Sequence, residues 1–555
     1  MWIMTSEEIK SSLSLLLKGD IDIEEKTLEK FSHDASLFEV KPKVIVFPKN
    51  SRDIQAIVKW VNENKEKEPG LSITARSAGT DMSGGAINDS IILDFTRYMN
   101  SIKKVENNVG IAEPGCYYRD FEKETLKQGL FMPAYTASRE ICALGGMVAN
   151  NAGGENTVKY GKVENFISYL KVVFADGNEY LIKPINREKL SRKCSQNDFE
   201  GEVYRKISYL ISSNKERIMS SKPNVSKNSA GYYLWNVWDE KNETFDLCRL
   251  IIGSQGTLGI ITEIGWKLVP KPAYGSLLAI FMPSLDKLPE VVNEVMTFKP
   301  DSFETYDDYS LKLAIKFFFD FFEQMGFVSA VRLGLQFIPE SFLMLRHGIP
   351  KLTLLVQFTG DSKEKVQKRL KELQKKISHF GLKSRVTKSD IEAEKYWEVR
   401  RQSFNMLRKH VHGRRTAPFI DDIIVLPKYL PEFLPKVETI LDENKLTYTV
   451  AGHAGDGNFH IIPLMDLNSP FSTDSIIEIS RKIYDLVMEY KGSITAEHND
   501  GIIRTPYLEK MYGGEIVELF KKTKEIFDSK YILNPGKKVG GTFDDIKNKL
   551  IHKNN

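Results

Sequence analysis

Three glycine-rich clusters, each abutting a short apolar strand pattern, constrain this chain more than any other feature. The first is Arg76-Ser77-Ala78-Gly79-Thr80-Asp81-Met82-Ser83-Gly84-Gly85-Ala86, at the end of a strand pattern over 71–76. The second spans 143–154, containing Gly145, Gly146, Asn151 and Gly154, with Lys159-Tyr160-Gly161 after it; the third spans 253–262. Glycines and small side chains let backbone N–H groups converge on an anion, and Ser77, Thr80 and Ser83 add hydroxyl donors. Any one cluster is compatible with a tight loop that holds nothing. Three together point to one long, extended ligand held by backbone, for which a dinucleotide is the natural candidate. Neither GxGxxG nor GxxxxGK[ST] occurs, so a Rossmann NAD site and a P-loop are unsupported.

Composition narrows the class. The chain has 555 residues, 41% apolar and 27% charged, an ordinary globular mixture. A net charge of +4 gives no electrostatic case for nucleic acid. The four cysteines, Cys116, Cys142, Cys194 and Cys248, are scattered with no CxxC, which excludes a zinc finger or ferredoxin-type cluster on spacing and suits a reducing cytoplasm. No run of 18 uncharged apolar residues occurs, so no transmembrane helix is expected. The N-terminal apolar run is too short for a signal peptide, and Thr5 with Glu8 reads as a capping box.

Residues 1–37 read as a helical segment and 38–270 as one α+β domain. Within that domain lie a buried strand over 44–47 and an amphipathic helix over 51–64, with Ser51 as its N-cap. Residues 271–535 form the next unit, and 536–555 a tail. From 274 the pattern is strand (276–282), helix (285–298), strand (302–306), then strand (351–358), helix (362–378) and a strand near 383. Two strand–helix–strand units suggest a ferredoxin-like α/β sandwich with an insertion between its halves. That insertion carries an amphipathic helix over 311–325, which includes Phe317-Phe318-Phe319-Asp320-Phe321-Phe322. It reads as packed on the core or, alternatively, as a docking face for a membrane surface or partner. The basic residues of 362–378 read as a solvated face.

The stretch Gly452-His453-Ala454-Gly455-Asp456-Gly457-Asn458-Phe459-His460 carries the most chemistry. Asp456-Gly457 reads as a two-residue type I′ hairpin turn, which places His453 directly opposite His460. Only nine histidines exist in the chain, and two imidazoles so placed can share one divalent metal. Glu497-His498 adds a carboxylate and an imidazole, a further ligand and a general base, and Asn499-Asp500-Gly501 supplies a turn.

These motifs together resemble the flavin-binding domain of the vanillyl-alcohol-oxidase (PCMH-type FAD-binding) superfamily. They are most similar to its FAD-linked D-2-hydroxyacid dehydrogenases, which include D-lactate dehydrogenases and the flavin subunit of glycolate oxidase. The resemblance covers roughly 40–270 and 395–540. It implies an α+β protein with a PCMH-type FAD-binding domain, a ferredoxin-like cap and a C-terminal segment. By resemblance, Arg76, Ala78, Gly79, Thr80, Asp81 and Ser83 cradle the FAD pyrophosphate. Gly145, Gly146, Asn151 and Gly154 belong to a second cofactor loop, and Ile260 makes a backbone contact. The first loop has no His, so the flavin is expected to be noncovalent. The closing Leu533-Asn534-Pro535-Gly536-Lys537 brings Asn534 back to the flavin. The family pattern makes His453, His460 and Glu497 ligands to a divalent metal, zinc or manganese, and His498 the base. Arg400, in a WxxR motif, becomes the clamp for the substrate carboxylate, with Arg401 its adjacent competitor. Asn499 stands where the family has Gly.

The activity implied is oxidation of a D-2-hydroxyacid, D-lactate or glycolate foremost. Electrons would leave to a quinone, a cytochrome, an electron-transfer flavoprotein or an iron–sulfur partner subunit. A cytoplasmic protein is expected, with or without peripheral contact at the inner membrane face. The alternatives are a noncatalytic flavin relay subunit, which needs no base, and a flavoenzyme like the ether-lipid synthase of the same superfamily, which works without net redox.

Overall fold

The short apolar runs Val-Ile-Val-Phe and Ile-Ile-Leu are buried on every side, and such runs belong in a parallel sheet covered on both faces. In the computed structural model, which describes residues 4–316, 344, 346, 348–388, 392–401, 415–467, 469 and 472–551, they sit in a four-stranded sheet. Its order is Asp20–Asp22, Val44–Phe47, Ile91–Asp94, Ile73–Arg76, with the last three parallel. Helix Ser51–Asn64 packs Ile54, Ile57, Val58 and Val61 into the same core, which also takes Val173 and Ile260 from a second, antiparallel sheet. That sheet has five strands, in the order Ile102–Glu106, Val109–Ala112, Ile260–Lys267, Ile167–Val173, Glu179–Ile182.

The capping box Thr5–Glu8 opens the first helix as expected. The cap of Ser51–Asn64 is Asn50, not Ser51. Asn50 is extended and its Oδ1 accepts from Arg52 N and Asp53 N, while Ser51 is already the first helical residue. The amide reaches two orphan N–H groups at once.

The two strand–helix–strand units are present as Tyr274–Met282, Leu288–Thr297, Ser302–Asp307 and Leu352–Gly360, Lys363–Ile377, Lys383–Val386. Their strands lie in the order Lys383–Val386, Tyr274–Met282, Leu352–Gly360, Ser302–Asp307, all antiparallel, the ferredoxin-like arrangement. The sheet then continues through the hairpin Thr447–His453 and Asn458–Met465, which pairs with Ser302–Asp307 at Thr305 and Tyr306. Period-two alternation decides what each face does. Leu278, Ile280, Phe303, Val450, Phe459 and Ile461 join one core with helices Leu288–Thr297, Lys363–Ile377, Leu430–Glu443 and Ser472–Glu489. Leu277, Ala279, Tyr306, Leu355 and Ala451 point to the other face, against Tyr396 and Trp397 of the helical segment 392–401. Glu304 shares its parity with Tyr306, and His453 with Ala451.

Helix Asp308–Lys316 covers the start of the expected helix 311–325; the rest of it, with Phe317 to Phe322, lies outside the described residues. Among the described residues no helix is long and apolar enough to cross a membrane. The chain's end returns to its beginning: Leu533 bridges Ile73 and Leu550 bridges Phe38.

Candidate active site

The three glycine clusters converge on one cleft. Arg76, Ala78, Gly79, Thr80 and Asp81 line it from the first cluster, and Gly145, Gly146 and Asn150 from the second. Gln255, Gly256, Gly259 and Ile261 line it from the third. Asp81 organises the first loop. Its Oδ2 accepts from Ser83 N (3.0 Å), Ser83 Oγ (2.8 Å) and Gly85 N (2.6 Å), and its Oδ1 accepts from Asn150 Nδ2 (3.0 Å). Gly79 stands at φ +69°, a left-handed conformation that a side chain resists.

Five of the expected cofactor residues do not line the cleft. Ser83 is buried and ties Asp81 to Gln255. Asn151 is the left-handed C-cap of helix Leu144–Asn150. Gly154 packs against the Tyr135 carbonyl, and Ile260 joins the core while Gly259 and Ile261 face the cleft. Asn534 binds the walls together: Nδ2 donates to Gly85 O (2.9 Å) and Gln255 O (2.7 Å), and Oδ1 accepts from Thr74 Oγ1 (2.8 Å).

The histidine hairpin differs from the two-residue turn that the dipeptide suggested. His453 pairs with Asn458, and Ala451 with His460, so residues 454–457 form a four-residue loop. Asp456 N donates to His453 O and Gly457 N to Ala454 O. Of Asp456 and Gly457, only Gly457 has positive φ, +73°, whereas a type I′ turn needs it at both. A shift of two residues keeps both side chains on one face. The rings therefore still meet, as diagonal neighbours with centroids 5.2 Å apart.

Each imidazole is oriented by a carboxylate. His453 Nδ1 lies 2.5 Å from Glu304 Oε1, His460 Nδ1 3.1 Å from Asp421 Oδ1, and His498 Nδ1 2.5 Å from Asp421 Oδ2. A carboxylate on one ring nitrogen orients the ring and leaves the other, Nε2, for a metal or a proton. His453 Nε2 lies 3.4 Å from Glu497 Oε2, and His460 stacks on His498 at 5.0 Å. Ligand atoms of Asp422, His460, Glu497 and His498 all fall within 4.8 Å of one another. Asp422, however, is saturated as an acceptor. Its Oδ2 takes the N–H groups of Glu497 and His498 and the Thr495 hydroxyl, and its Oδ1 takes Asn458 Nδ2. It shapes the Glu497–His498 turn rather than facing a guest. That leaves His460, Glu497 and His498 of the group, imidazole and carboxylate donors that suit a divalent ion; the expected ligand His453 stands outside the group but brings its Nε2 to 3.4 Å from Glu497 Oε2.

Buried charges act on the same groups. Burial raises the Glu497 carboxyl, but Lys227 and His453 outweigh it and hold the group well below its usual range. Burial opposes a charged His498, yet Asp421 and Asp422 raise it to about 9; Glu304 does the same for His453, also to about 9. The buried carboxylates thus favour the charged form of both imidazoles, so an ion binding to either ring has to displace a proton.

Arg400 reaches this site: its Nη2 lies 3.3 Å from Glu304 Oε2. Arg401 turns to Glu155 and Glu394 instead. Asn499 has φ +71°, in the left-handed region that Asn tolerates better than most residues other than Gly. Its amide donates to Gly253 O (2.9 Å) and Asn150 O (3.4 Å), joining the histidine site to two glycine clusters. Glu304, Asp421, Asp422 and Lys227 were not singled out from sequence. The available signals were charged residues within otherwise apolar strand runs, Ser-Phe-Glu-Thr-Tyr-Asp and Asp-Asp-Ile-Ile-Val.

Comparison with known proteins places these features in a family. Residues 42–181 match the model of an FAD binding domain, and 271–538 that of FAD linked oxidases, C-terminal domain. D-2-hydroxyglutarate dehydrogenase of Pseudomonas putida is 26% identical over 94% of this chain and 50% of its own length. The chain thus spans about half of that relative. Glycolate oxidase subunit GlcD of Bacillus subtilis is 25% identical over 91% of each chain. Among solved structures, 4-ethylphenol oxidase from Gulosibacter chungangensis superposes with a TM-score of 0.68 at 15% identity, covering 97% of both chains. With the two models matched in order along it, and the fold of the PCMH-type FAD-binding flavoproteins, the chain belongs to the FAD-linked oxidases.

Proposed function

We propose that this protein oxidises a D-2-hydroxyacid, D-lactate or glycolate foremost, to the 2-oxoacid, passing the electrons to an acceptor other than NAD. The observation that carries this reading is the convergence of His453, His460 and His498 on Glu497, each ring oriented through Nδ1 by a buried carboxylate. A relay subunit has no use for such a base. Flavin binding is assigned to 38–270 and substrate handling to 271–535, with the helical segment 1–37 and the tail 536–555 flanking them.

Arg400 binds the substrate carboxylate through its planar fork of donors, and its contact with Glu304 holds the guanidinium beside His453. His453, His460 and Glu497 hold the divalent ion, zinc or manganese. When bound, that ion supplies a Lewis acid for the substrate oxygen and FAD supplies the two-electron acceptor. His498 Nε2 takes the hydroxyl proton in its neutral form, which Asp421 on Nδ1 makes dominant only as pH rises through about 9, and the same carboxylate stabilises the imidazolium that results. The first loop, 76–86, contains no His, and FAD is accordingly held noncovalently. The acceptor is a quinone, a cytochrome, an electron-transfer flavoprotein or an iron–sulfur partner subunit.

A panel of D- and L-2-hydroxyacids assayed with an artificial electron-accepting dye tests the reading. Reduction by D-lactate or glycolate, and not by the L enantiomer of lactate, is expected. A panel with no substrate among the 2-hydroxyacids would contradict it.

A further inference from the structure

Lys227 is a fully buried lysine contributed by the flavin-binding half to a site otherwise built by the cap. Its Nζ lies 2.6 Å from Glu497 Oε1 and 3.0 Å from Asp456 Oδ2. Asp456 sits in the four-residue loop between His453 and His460. One ammonium therefore ties the Glu497 carboxylate to the loop that joins the two hairpin histidines. Its own backbone is fixed beside the same segment. Ser229 N donates to Thr495 O, Ser229 Oγ to Ala496 O, and Ser493 Oγ to Asn228 Oδ1. Lys162, also buried, donates to Asn228 O, Ser229 Oγ and Ala496 O, clamping the two strips together. Burying an ammonium is costly unless it is paired, and here both partners belong to the site.

We propose that Lys227 is a positioning residue for the metal-binding set: it occupies Glu497 Oε1 so that Oε2 alone is presented toward His453, and it fixes the spacing between Glu497 and the histidine hairpin. This inference rests on the reading of His453, His460 and Glu497 as metal ligands. With one oxygen held by Lys227, Glu497 offers a single donor atom and leaves room at the ion for a substrate oxygen. A neighbouring cation would, by Coulomb repulsion alone, weaken metal binding, so its removal would tighten it. A positioning role predicts the opposite sign, and the two are separable by experiment.

The test uses the FAD-loaded full chain, stripped of metal and titrated with Co²⁺ in competition with a chelator, alongside the visible Co²⁺ spectrum beyond the flavin absorption. Partners of metal-ligating groups typically contribute about 10–100-fold in metal affinity. K227M should therefore keep FAD at the wild-type ratio, lose about 10–100-fold in Co²⁺ affinity and change the Co²⁺ spectrum. Wild-type affinity and spectrum in K227M, or tighter binding, would overturn the proposal. Should K227M fail to fold, K227R takes its place. A guanidinium grips both oxygens of a carboxylate, so folded K227R should bind Co²⁺ weakly; wild-type binding would overturn the proposal. If the wild-type protein itself binds no Co²⁺, the ligand assignment fails and this inference with it, a result distinct from wild-type-like binding by the variants.

Discussion

Asp421 accepts from two imidazoles at once, with no exposure of its own carboxylate, and so ties the ring of the proposed base to that of a proposed ligand. His498→Ala removes the base without touching His453, His460 or Glu497. FAD and metal should stay bound while the rate of flavin reduction falls by roughly 10²–10⁴-fold, with the rate of reoxidation by an acceptor unchanged. Stopped-flow absorbance resolves the two half-reactions, and wild-type flavin reduction in this variant would move the base elsewhere. A second residue-scale prediction concerns Asp34. Burial, and then the neighbouring Asp81, push its carboxyl from 3.8 up to about 7. The folded state thus keeps a proton there that the unfolded chain loses, so this group's contribution is full below 3.8 and is lost as pH rises through about 7. Asp34→Asn should flatten the fall of the unfolding midpoint across that window. An unchanged slope in thermal denaturation would show that Asp34 ionises normally.

At the scale of elements, legibility followed the range of the interaction. The ferredoxin-like units were readable because apolar period and turn residues are local, as in Lys363–Ile377 with Val366, Leu370, Leu373 and Ile377 buried. The capping box at Thr5 was readable for the same reason. The hairpin was readable in its outcome but not its register. Asp456-Gly457 names a turn, yet the loop hydrogen bonds of His453 and Ala454 decide where pairing stops. Glu304, Asp421 and Lys227 were not readable, because their meaning lies in partners 149, 77 and 270 positions away. The hairpin loop also carries a prediction. A Cβ at Gly457 would overlap the Val425 carbonyl at φ +73°. Gly457→Ala should destabilise the fold by roughly 1–3 kcal/mol and lower metal content, as read by chemical denaturation and metal analysis. Wild-type stability would show that the loop relaxes freely.

Across the whole molecule, the glycine-lined cleft and the histidine site are tied together. Asn534, near the end of the chain, joins the first and third glycine clusters, and Asn499 joins the second and third to the Glu497–His498 turn. Flavin should be released by acid or heat, since the loop 76–86 contains no His; flavin retained on the precipitated polypeptide would refute this. The central claim is that a metal held by His453, His460 and Glu497 is needed for a 2-hydroxyacid to reduce the flavin. The most direct measurement is anaerobic bleaching of the bound FAD by D-lactate and by glycolate, before and after chelation and after zinc or manganese is restored. Bleaching by at least one of them that is lost on chelation, with FAD still bound, and recovered with the metal is the predicted result. Bleaching at the full rate in rigorously metal-stripped protein would contradict it.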